Sequence, residues 1–121
     1  MRRILIVDDE EDLLKVLEKR LIGEGCEVIT ARNGLEGVAK AKKELPDLII
    51  LDIVMPEMNG WEVAQLLKET NKTRDIPIIF LTCLYNKEDE KRVGHHSGTN
   101  FLFAKPFEFS ELMGIINSKI K

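Results

Sequence analysis

The stretch LIILDIVMP, residues 48–56, decides how this chain can fold. Four apolar residues run without interruption into the carboxylate of Asp52, and a proline closes the stretch. An apolar run of this length is typical of a strand that is buried on both faces, as in a parallel sheet. Asp52 would then end the strand, at the edge of the sheet where open α/β folds bind their ligands.

Strand-like and helix-like patterns alternate on either side of this stretch. Apolar or β-branched runs predict four further strands, at residues 4–7, 26–30, 76–81 and 101–104. A capped or amphipathic segment follows each strand, which predicts five helices, four beginning near residues 11, 33, 59 and 86 and the last containing residues 112–120. We place Leu35, Val38, Ala39 and Lys42 on one face of the second helix, as its inner face. Between residues 87 and 97 the fourth helix has Val93 as its only strongly apolar residue, which predicts weak anchoring to the sheet.

Five strands alternating with five helices predict one arrangement of the whole chain. A doubly wound, five-stranded parallel sheet with right-handed crossovers places helices on both of its faces. The predicted fold is therefore an α/β three-layer sandwich. At 121 residues the chain has the usual length of one domain, and we expect a single domain over residues 1–121.

Composition excludes several classes of function. The formal net charge is −3, without the basic excess that nucleic-acid binding requires, so direct contact with DNA or RNA is disfavoured. Every apolar run is too short to cross a bilayer, and no signal-peptide core follows the N-terminus, so we expect a cytoplasmic protein without a membrane partner. Cys26 and Cys83 are far apart and not in metal-binding spacing, which predicts two reduced packing residues.

Chemically related side chains end four of the five predicted strands. Asp8 and Asp9 follow the first strand, Asp52 ends the third, Thr82 the fourth and Lys105 the fifth. Because the C-terminal ends of parallel strands lie along one edge of the sheet, we expect these five residues to converge. Carboxylates held about 4 to 5 Å apart repel by several kcal/mol per pair at an effective dielectric of about 20. A hard divalent cation with oxygen ligands, such as Mg²⁺, would relieve that repulsion.

Four motifs carry a resemblance to a known family. VDDE at 7–10, LDIVMPEMNG at 51–60, LT at 81–82 and KPF at 105–107 resemble, in this order, the motifs of two-component response-regulator receiver domains of the single-domain, chemotaxis-regulator type. The similarity extends over essentially the whole chain. It implies the flavodoxin-like (βα)5 fold with strand order 2-1-3-4-5.

The resemblance also implies a magnesium-dependent phosphoacceptor site. Asp9 and Asp52 would bind Mg²⁺, with Mn²⁺ as an alternative, together with the backbone carbonyl of Val54, while Asp8 would act mainly through a water molecule. Asp52 would accept the phosphoryl group. Lys105 would then stabilise its charge.

Partners and regulation are implied in the same way. Thr82 would donate a hydrogen bond to the phosphoryl group, whose donor would be the phosphohistidine of a sensor histidine kinase or a histidine phosphotransfer protein. A downstream target or output domain would read the signal through residues 86–104. Leu102 stands where the family usually has an aromatic residue. The domain would catalyse its own phosphorylation and slow dephosphorylation without being a metabolic enzyme.

Three alternatives follow from the same residues. A Mg²⁺-dependent aspartyl-phosphate phosphohydrolase would share the chemistry, but the Asp-x-Asp pair and the cap insertion expected of it are absent from the sequence. A flavin-binding module would share the fold, but the acidic segment 8–10 would repel the flavin phosphate. The third alternative is a phosphorylation-independent interaction module.

Overall fold

The computed structural model describes residues 2–82, 100–104 and 108–119, with residues 82 and 100–104 described by their backbone alone. Strands and helices alternate along this part of the chain. The strands are β1 (Arg3–Val7), β2 (Glu27–Ala31), β3 (Leu48–Asp52), β4 (Ile78–Thr82) and β5 (Asn100–Ala104). The helices are α1 (Glu11–Gly23), α2 (Gly34–Glu44), α3 (Gly60–Glu69) and α4 (Phe109–Lys119). The helix predicted to begin near residue 86 lies outside the described residues.

The strands form one parallel sheet in the order β2-β1-β3-β4-β5. This order agrees with the one implied by the resemblance, and the parallel α/β architecture predicted from the sequence is confirmed. β3 lies at the centre of the sheet and all five of its residues are buried, Asp52 included. The apolar run at residues 48–51 and Asp52 therefore form the central strand.

Alternation along the strands divides the core into two clusters. Leu5, Ile49 and Phe80 belong to the cluster on one face, which α2 and α3 cover. Ile4 and Ile50 belong to the other cluster, which α1 and α4 cover. The described helices therefore lie on both faces of the sheet, as predicted. None of these four helices is long and apolar enough to span a membrane.

The predicted inner face of α2 is wrong in part. Val38 is buried, but Leu35 is 66% exposed, and Ala39 and Lys42 are exposed as well. Gly34 and Gly37 are buried instead. A Cβ atom on Gly37 would lie 2.8 Å from Cγ2 of Val7 in β1. The helix therefore approaches the sheet through Gly37, while Gly34 lies against Val63 of α3. Glycines contribute nothing to a hydrophobic pattern, and their burial leaves Leu35 outside.

Helix caps agree with the predicted helix starts. The Asn33 side chain accepts a hydrogen bond from the Glu36 backbone N–H at 2.8 Å, as an N-cap does. Glu36 does not complete a reciprocal capping box, because its carboxylate accepts from the Arg32 N–H instead. A complete box joins Asn59 and Glu62 at the start of α3.

One strand begins later than predicted. β4 begins at Ile78, two residues later than predicted, and Pro77, which has no N–H for a ladder, precedes it.

Cys26 is a free, buried thiol in the cluster under α1, which confirms its predicted packing role. Burial raises the pKa of the Cys26 thiol. Cys83 lies outside the described residues.

Candidate acidic site

Asp8 lies directly beyond the end of β1. Its backbone N–H donates to the carbonyl oxygen of Ala31 at 3.1 Å, which extends the pairing with β2 by one residue. The chain is thereby fixed up to Asp8, whose side chain is fully buried. Bulk water cannot stabilise the charge of a carboxylate in this position, so the carboxylate needs polar or cationic neighbours.

Asp52 is the last residue of β3 and is 2% exposed. It pairs with Leu81 of β4, and the next N–H, that of Ile53, donates to the Leu81 carbonyl at 3.0 Å. Gly60, the first residue of α3, packs closely on Asp52. A Cβ atom on Gly60 would lie 2.4 Å from the Asp52 carbonyl oxygen. The backbone of Asp52 is therefore held by β4 and by the start of α3.

Three carboxylates meet at this edge of the sheet. Asp8, Glu10 and Asp52 each offer an oxygen atom, and the three atoms lie within 4.8 Å of one another. The Glu10 N–H donates to Oδ1 of Asp8 at 2.9 Å, a turn that brings Glu10 back toward the strand end. At 4.8 Å, two ionised carboxylates repel by about 3 kcal/mol at an effective dielectric of about 20, and solvent at the exposed Glu10 lowers this figure.

Asp9 does not belong to this group. The Asp9 side chain is exposed. Glu10, which was not predicted as a site residue, is a member of the group instead. The predicted convergence of Asp8 and Asp52 is confirmed, and Glu10 joins them because the chain turns after Asp8. The acidic motif VDDE offered a signal for this, since its third acid lies only two residues after the first.

Thr82 and Val54 are the other predicted site residues in the described part of the chain. The backbone of Thr82 ends β4, beside β3, and pairs with Ala104 of β5. Val54 lies two residues beyond β3 with its side chain exposed. Lys105 and the side chains of Thr82 and Leu102 lie outside the described residues.

An aromatic contact joins α3 to β4. The rings of Trp61 and Phe80 are 4.5 Å apart between centroids and tilted by 41°. Phe80 is buried in β4, and Trp61 is the second residue of α3. Trp61 is half-buried. These contacts join α3 to the strand beside Asp52.

The donor set fits a hard divalent cation. All three clustered groups are carboxylates, the ligand type that Mg²⁺ prefers, and no sulfur or imidazole ligand joins the group among the residues described. A cation of charge +2 would offset the mutual repulsion of Asp8, Glu10 and Asp52. The arrangement is compatible with magnesium.

Comparison with known sequences gives a consistent family. A family model of the response regulator receiver domain matches residues 4–117. The probable transcriptional regulator ycf27 of Pyropia yezoensis is 40% identical over 119 residues, which cover 98% of this chain and 47% of the relative. The response regulator PleD of Caulobacter vibrioides is 39% identical over 116 residues, which cover 96% of this chain and 25% of PleD. The chain thus spans about half the length of the first of these relatives and a quarter of the second.

Comparison with solved structures agrees. The chemotaxis response regulator CheY4 of Vibrio cholerae is 30% identical, with a TM-score of 0.87 and 99% of both chains covered. The response regulator TrrA of Thermotoga maritima, solved in complex with Mg²⁺ and BeF, is 35% identical, with a TM-score of 0.85, and the match covers 99% of this chain and 100% of TrrA. The fold, the acidic site at the edge of the sheet and the matched family model lead to one conclusion. This chain belongs to the response regulator receiver domain family of two-component signalling.

Proposed function

We propose that Asp52 accepts a phosphoryl group from the phosphohistidine of a sensor histidine kinase or a histidine phosphotransfer protein. The observation that carries this proposal is the burial of Asp52 at the end of the central strand, with its carboxylate within 4.8 Å of those of Asp8 and Glu10. A carboxylate nucleophile needs such a position, in which the chain fixes its direction of attack.

The proposed metal ligands are Asp9, Asp52 and the backbone carbonyl of Val54, with Asp8 acting through a water molecule. Asp9 is exposed and outside the clustered group, so its side chain would have to turn toward Asp52 to bind the ion, whereas Glu10 adds negative charge to the same edge of the sheet. When bound, Mg²⁺, or Mn²⁺ in its place, would offset the charge of the carboxylates and of the incoming phosphoryl oxygens. The burial of Asp8 and Asp52 favours a bound cation, because neither side chain has free access to bulk water.

The proposed reaction is an in-line displacement on phosphorus. A carboxylate oxygen of Asp52 forms the new O–P bond, the P–N bond to the donor imidazole breaks, and the electron pair remains on the imidazole nitrogen. We assign to Lys105 the stabilisation of charge on the phosphoryl oxygens and to Thr82 a hydrogen bond to the transferred group. Water later hydrolyses the acyl phosphate and regenerates Asp52.

The proposed domain comprises residues 1–121 in a complete (βα)5 sandwich, acting in the cytoplasm. A target protein or an output domain would read the phosphorylated state through residues 86–104. The curated relatives that extend well beyond the matched region favour an output of this kind.

A phosphorylation experiment tests the assignment of Asp52. The protein is incubated with a small phosphodonor such as phosphoramidate, with Mg²⁺ or with a chelator, and its intact mass is measured. We expect the mass of one added phosphoryl group with Mg²⁺ and none with the chelator. The variant Asp52→Asn should remain unlabelled, and Asp12→Asn, which changes an exposed acid in α1, serves as the matched control. Labelling of Asp52→Asn at the parent level would remove Asp52 from its role.

A further inference from the structure

Two adjoining hollows form a groove between the start of α2 and the outer side of α3. The first, of about 150 Å³, is lined in part by Leu35, Pro56, Glu57 and Met58. The second, of about 320 Å³, is lined in part by Met58, Glu62, Leu66 and Glu69. Met58 lines both hollows, and we call the two together the α2–α3 groove.

Exposed apolar side chains line the α2–α3 groove. Leu35 is 66% exposed and Leu66 is 37% exposed. Leu35 is exposed because the buried face of α2 is made by Gly34 and Gly37, so its side chain contributes little to the core. Met58 is half-buried at the centre of the groove. These side chains offer apolar area that a partner could remove from water.

The charge of the groove has one sign. Glu57, Glu62 and Glu69 line it and are all exposed. Among the described residues, no lysine or arginine lines either hollow, and none forms a salt bridge with these three glutamates. Glu57 lies in the loop that connects β3 to α3 and has a left-handed backbone, with φ of 68°. A groove lined by apolar side chains and by glutamates complements an apolar stripe flanked by basic residues.

We propose that the α2–α3 groove docks a helix of a partner protein that carries an apolar stripe between lysine and arginine residues. Glu62, Leu66 and Glu69 have the spacing of one face of α3, so the groove runs along this helix. α3 has ten residues and a length of about 15 Å, which matches about three turns of a partner helix. A helix that lies in an apolar groove is a recurring mode of peptide recognition.

Charge also distinguishes between occupants. A second copy of this chain would bring the same three glutamates against each other, and like charges that face across an interface are unfavourable. The inference does not depend on the phosphorylation of Asp52, because the groove is lined by side chains outside the acidic cluster.

A titration with a designed peptide tests the proposal. The probe is a helical peptide of about 15 residues with leucines at helical spacing and flanking lysines and arginines, and the amide resonances of the ¹⁵N-labelled chain report its binding. We expect saturable shifts centred on residues 34–35, 57–58 and 62–69. A peptide of the same composition in scrambled order should bind at least about fivefold more weakly, because it cannot place its leucines on one face.

Matched variants separate this groove from other exposed apolar positions. Leu35→Ser with Leu66→Ser should weaken binding by about tenfold, since each removes an apolar contact from an exposed position. Val16→Ser with Ile22→Ser, at α1 positions that are 53% and 55% exposed, should leave binding unchanged. Glu57→Gln with Glu69→Gln should weaken binding and reduce its salt dependence.

Four results would overturn the proposal. They are equal binding of the scrambled peptide, shifts centred outside the groove, equal losses in the α1 control variant, and the absence of saturable binding. Concentration-dependent shifts of the groove residues without peptide would instead assign the groove to a second copy of the chain.

Discussion

Gly60 is the residue that most directly limits where Asp52 can lie. Its N–H donates to the Ile53 carbonyl at 2.9 Å, and an added Cβ atom would lie 2.4 Å from the Asp52 carbonyl oxygen and 2.9 Å from Cα of Ile53. Both neighbours are backbone atoms of the central strand and its continuation, which cannot rotate away. The absence of a side chain at position 60 therefore lets α3 begin against the strand that carries Asp52.

Gly60→Ala should lower the free energy of unfolding by about 1 to 3 kcal/mol, the usual range for overpacking. Gly114→Ala in α4 is the matched control, because a Cβ atom there meets nothing within 4 Å. The control should raise stability by about 0.5 to 1 kcal/mol, since alanine favours a helix interior over glycine. Urea unfolding monitored by circular dichroism measures both values. Equal changes in the two variants would contradict the close packing of Gly60 on Asp52.

Cys26 gives the fold a dependence on alkaline pH. Burial, which outweighs the nearby Arg2, raises the pKa of its thiol above the ordinary value of 9.0. The unfolded thiol therefore ionises first, and the unfolded state binds fewer protons than the folded one. By linkage, the stabilising contribution of Cys26 is complete below pH 9.0 and is lost as the pH rises through the folded pKa.

The difference in the free energy of unfolding between the parent and Cys26→Ala should therefore narrow as the pH rises above 9.0. Urea unfolding of both proteins at a series of pH values measures this difference. The lowered pKa of Lys68, which burial causes, acts in the opposite direction, but it is common to both proteins and cancels. A difference that stays constant through this pH range would contradict the assigned burial of the thiol.

At the scale of elements, α2 shows where hydrophobic periodicity misleads. Leu35 and Val38 have helical spacing, and the pattern places both on the inner face. The structure buries Gly34, Gly37 and Val38 and leaves Leu35 exposed. Gly37 packs closely on Val7 of β1 and Gly34 on Val63 of α3, and neither position has room for a side chain. Hydropathy treats glycine as neutral, so the pattern predicts the helix correctly but not its rotation about its own axis.

The contact between α2 and β1 can be measured as a coupling. Gly37→Ala should lower stability by about 1 to 3 kcal/mol, because its Cβ atom would lie 2.8 Å from Cγ2 of Val7. Val7→Ala alone should also lower stability, through the cavity that it leaves in the core. In the double variant the new methyl group has room, so its loss should be smaller than the sum by about 1 kcal/mol or more. Additive losses, measured by urea unfolding, would contradict the direct contact.

For the molecule as a whole, the sequence predicted the alternating architecture well because its cause is local. Each strand is an apolar run, each helix has a cap or an amphipathic face, and parallel pairing follows from their alternation. The strand ends also predicted that Asp8 and Asp52 would meet. The proximity of Glu10 was missed because it depends on the turn that its N–H makes with the Asp8 carboxylate, which strand periodicity does not contain.

Charge at this edge of the sheet should make stability depend on magnesium. Asp8→Asn removes one of three clustered charges, so without Mg²⁺ the variant should be more stable than the parent by about 1 to 3 kcal/mol. At about 100 times its dissociation constant, Mg²⁺ should stabilise the parent by about 2.7 kcal/mol. The gain should fall below about 1 kcal/mol in Asp8→Asn, whose weaker site is far from saturation at the same concentration.

Urea unfolding at matched ionic strength, with and without Mg²⁺, measures these changes. Asp12→Asn is the control, because it removes an exposed acid of α1 that is not a member of the clustered group. It should keep the full gain from Mg²⁺. An Asp8→Asn variant that is destabilised without Mg²⁺ and gains as much as the parent with it would contradict the electrostatic account of the cluster.

The most direct test of the central claim is to identify the residue that carries the phosphoryl group. The protein is phosphorylated with phosphoramidate and Mg²⁺ and treated with borohydride, which reduces an aspartyl phosphate to homoserine, and peptide mass spectrometry locates the product. The account predicts homoserine at position 52 in the parent and none in Asp52→Asn. Homoserine at position 8 or 9, or a stable phosphoryl group on another residue with none at position 52, would contradict it.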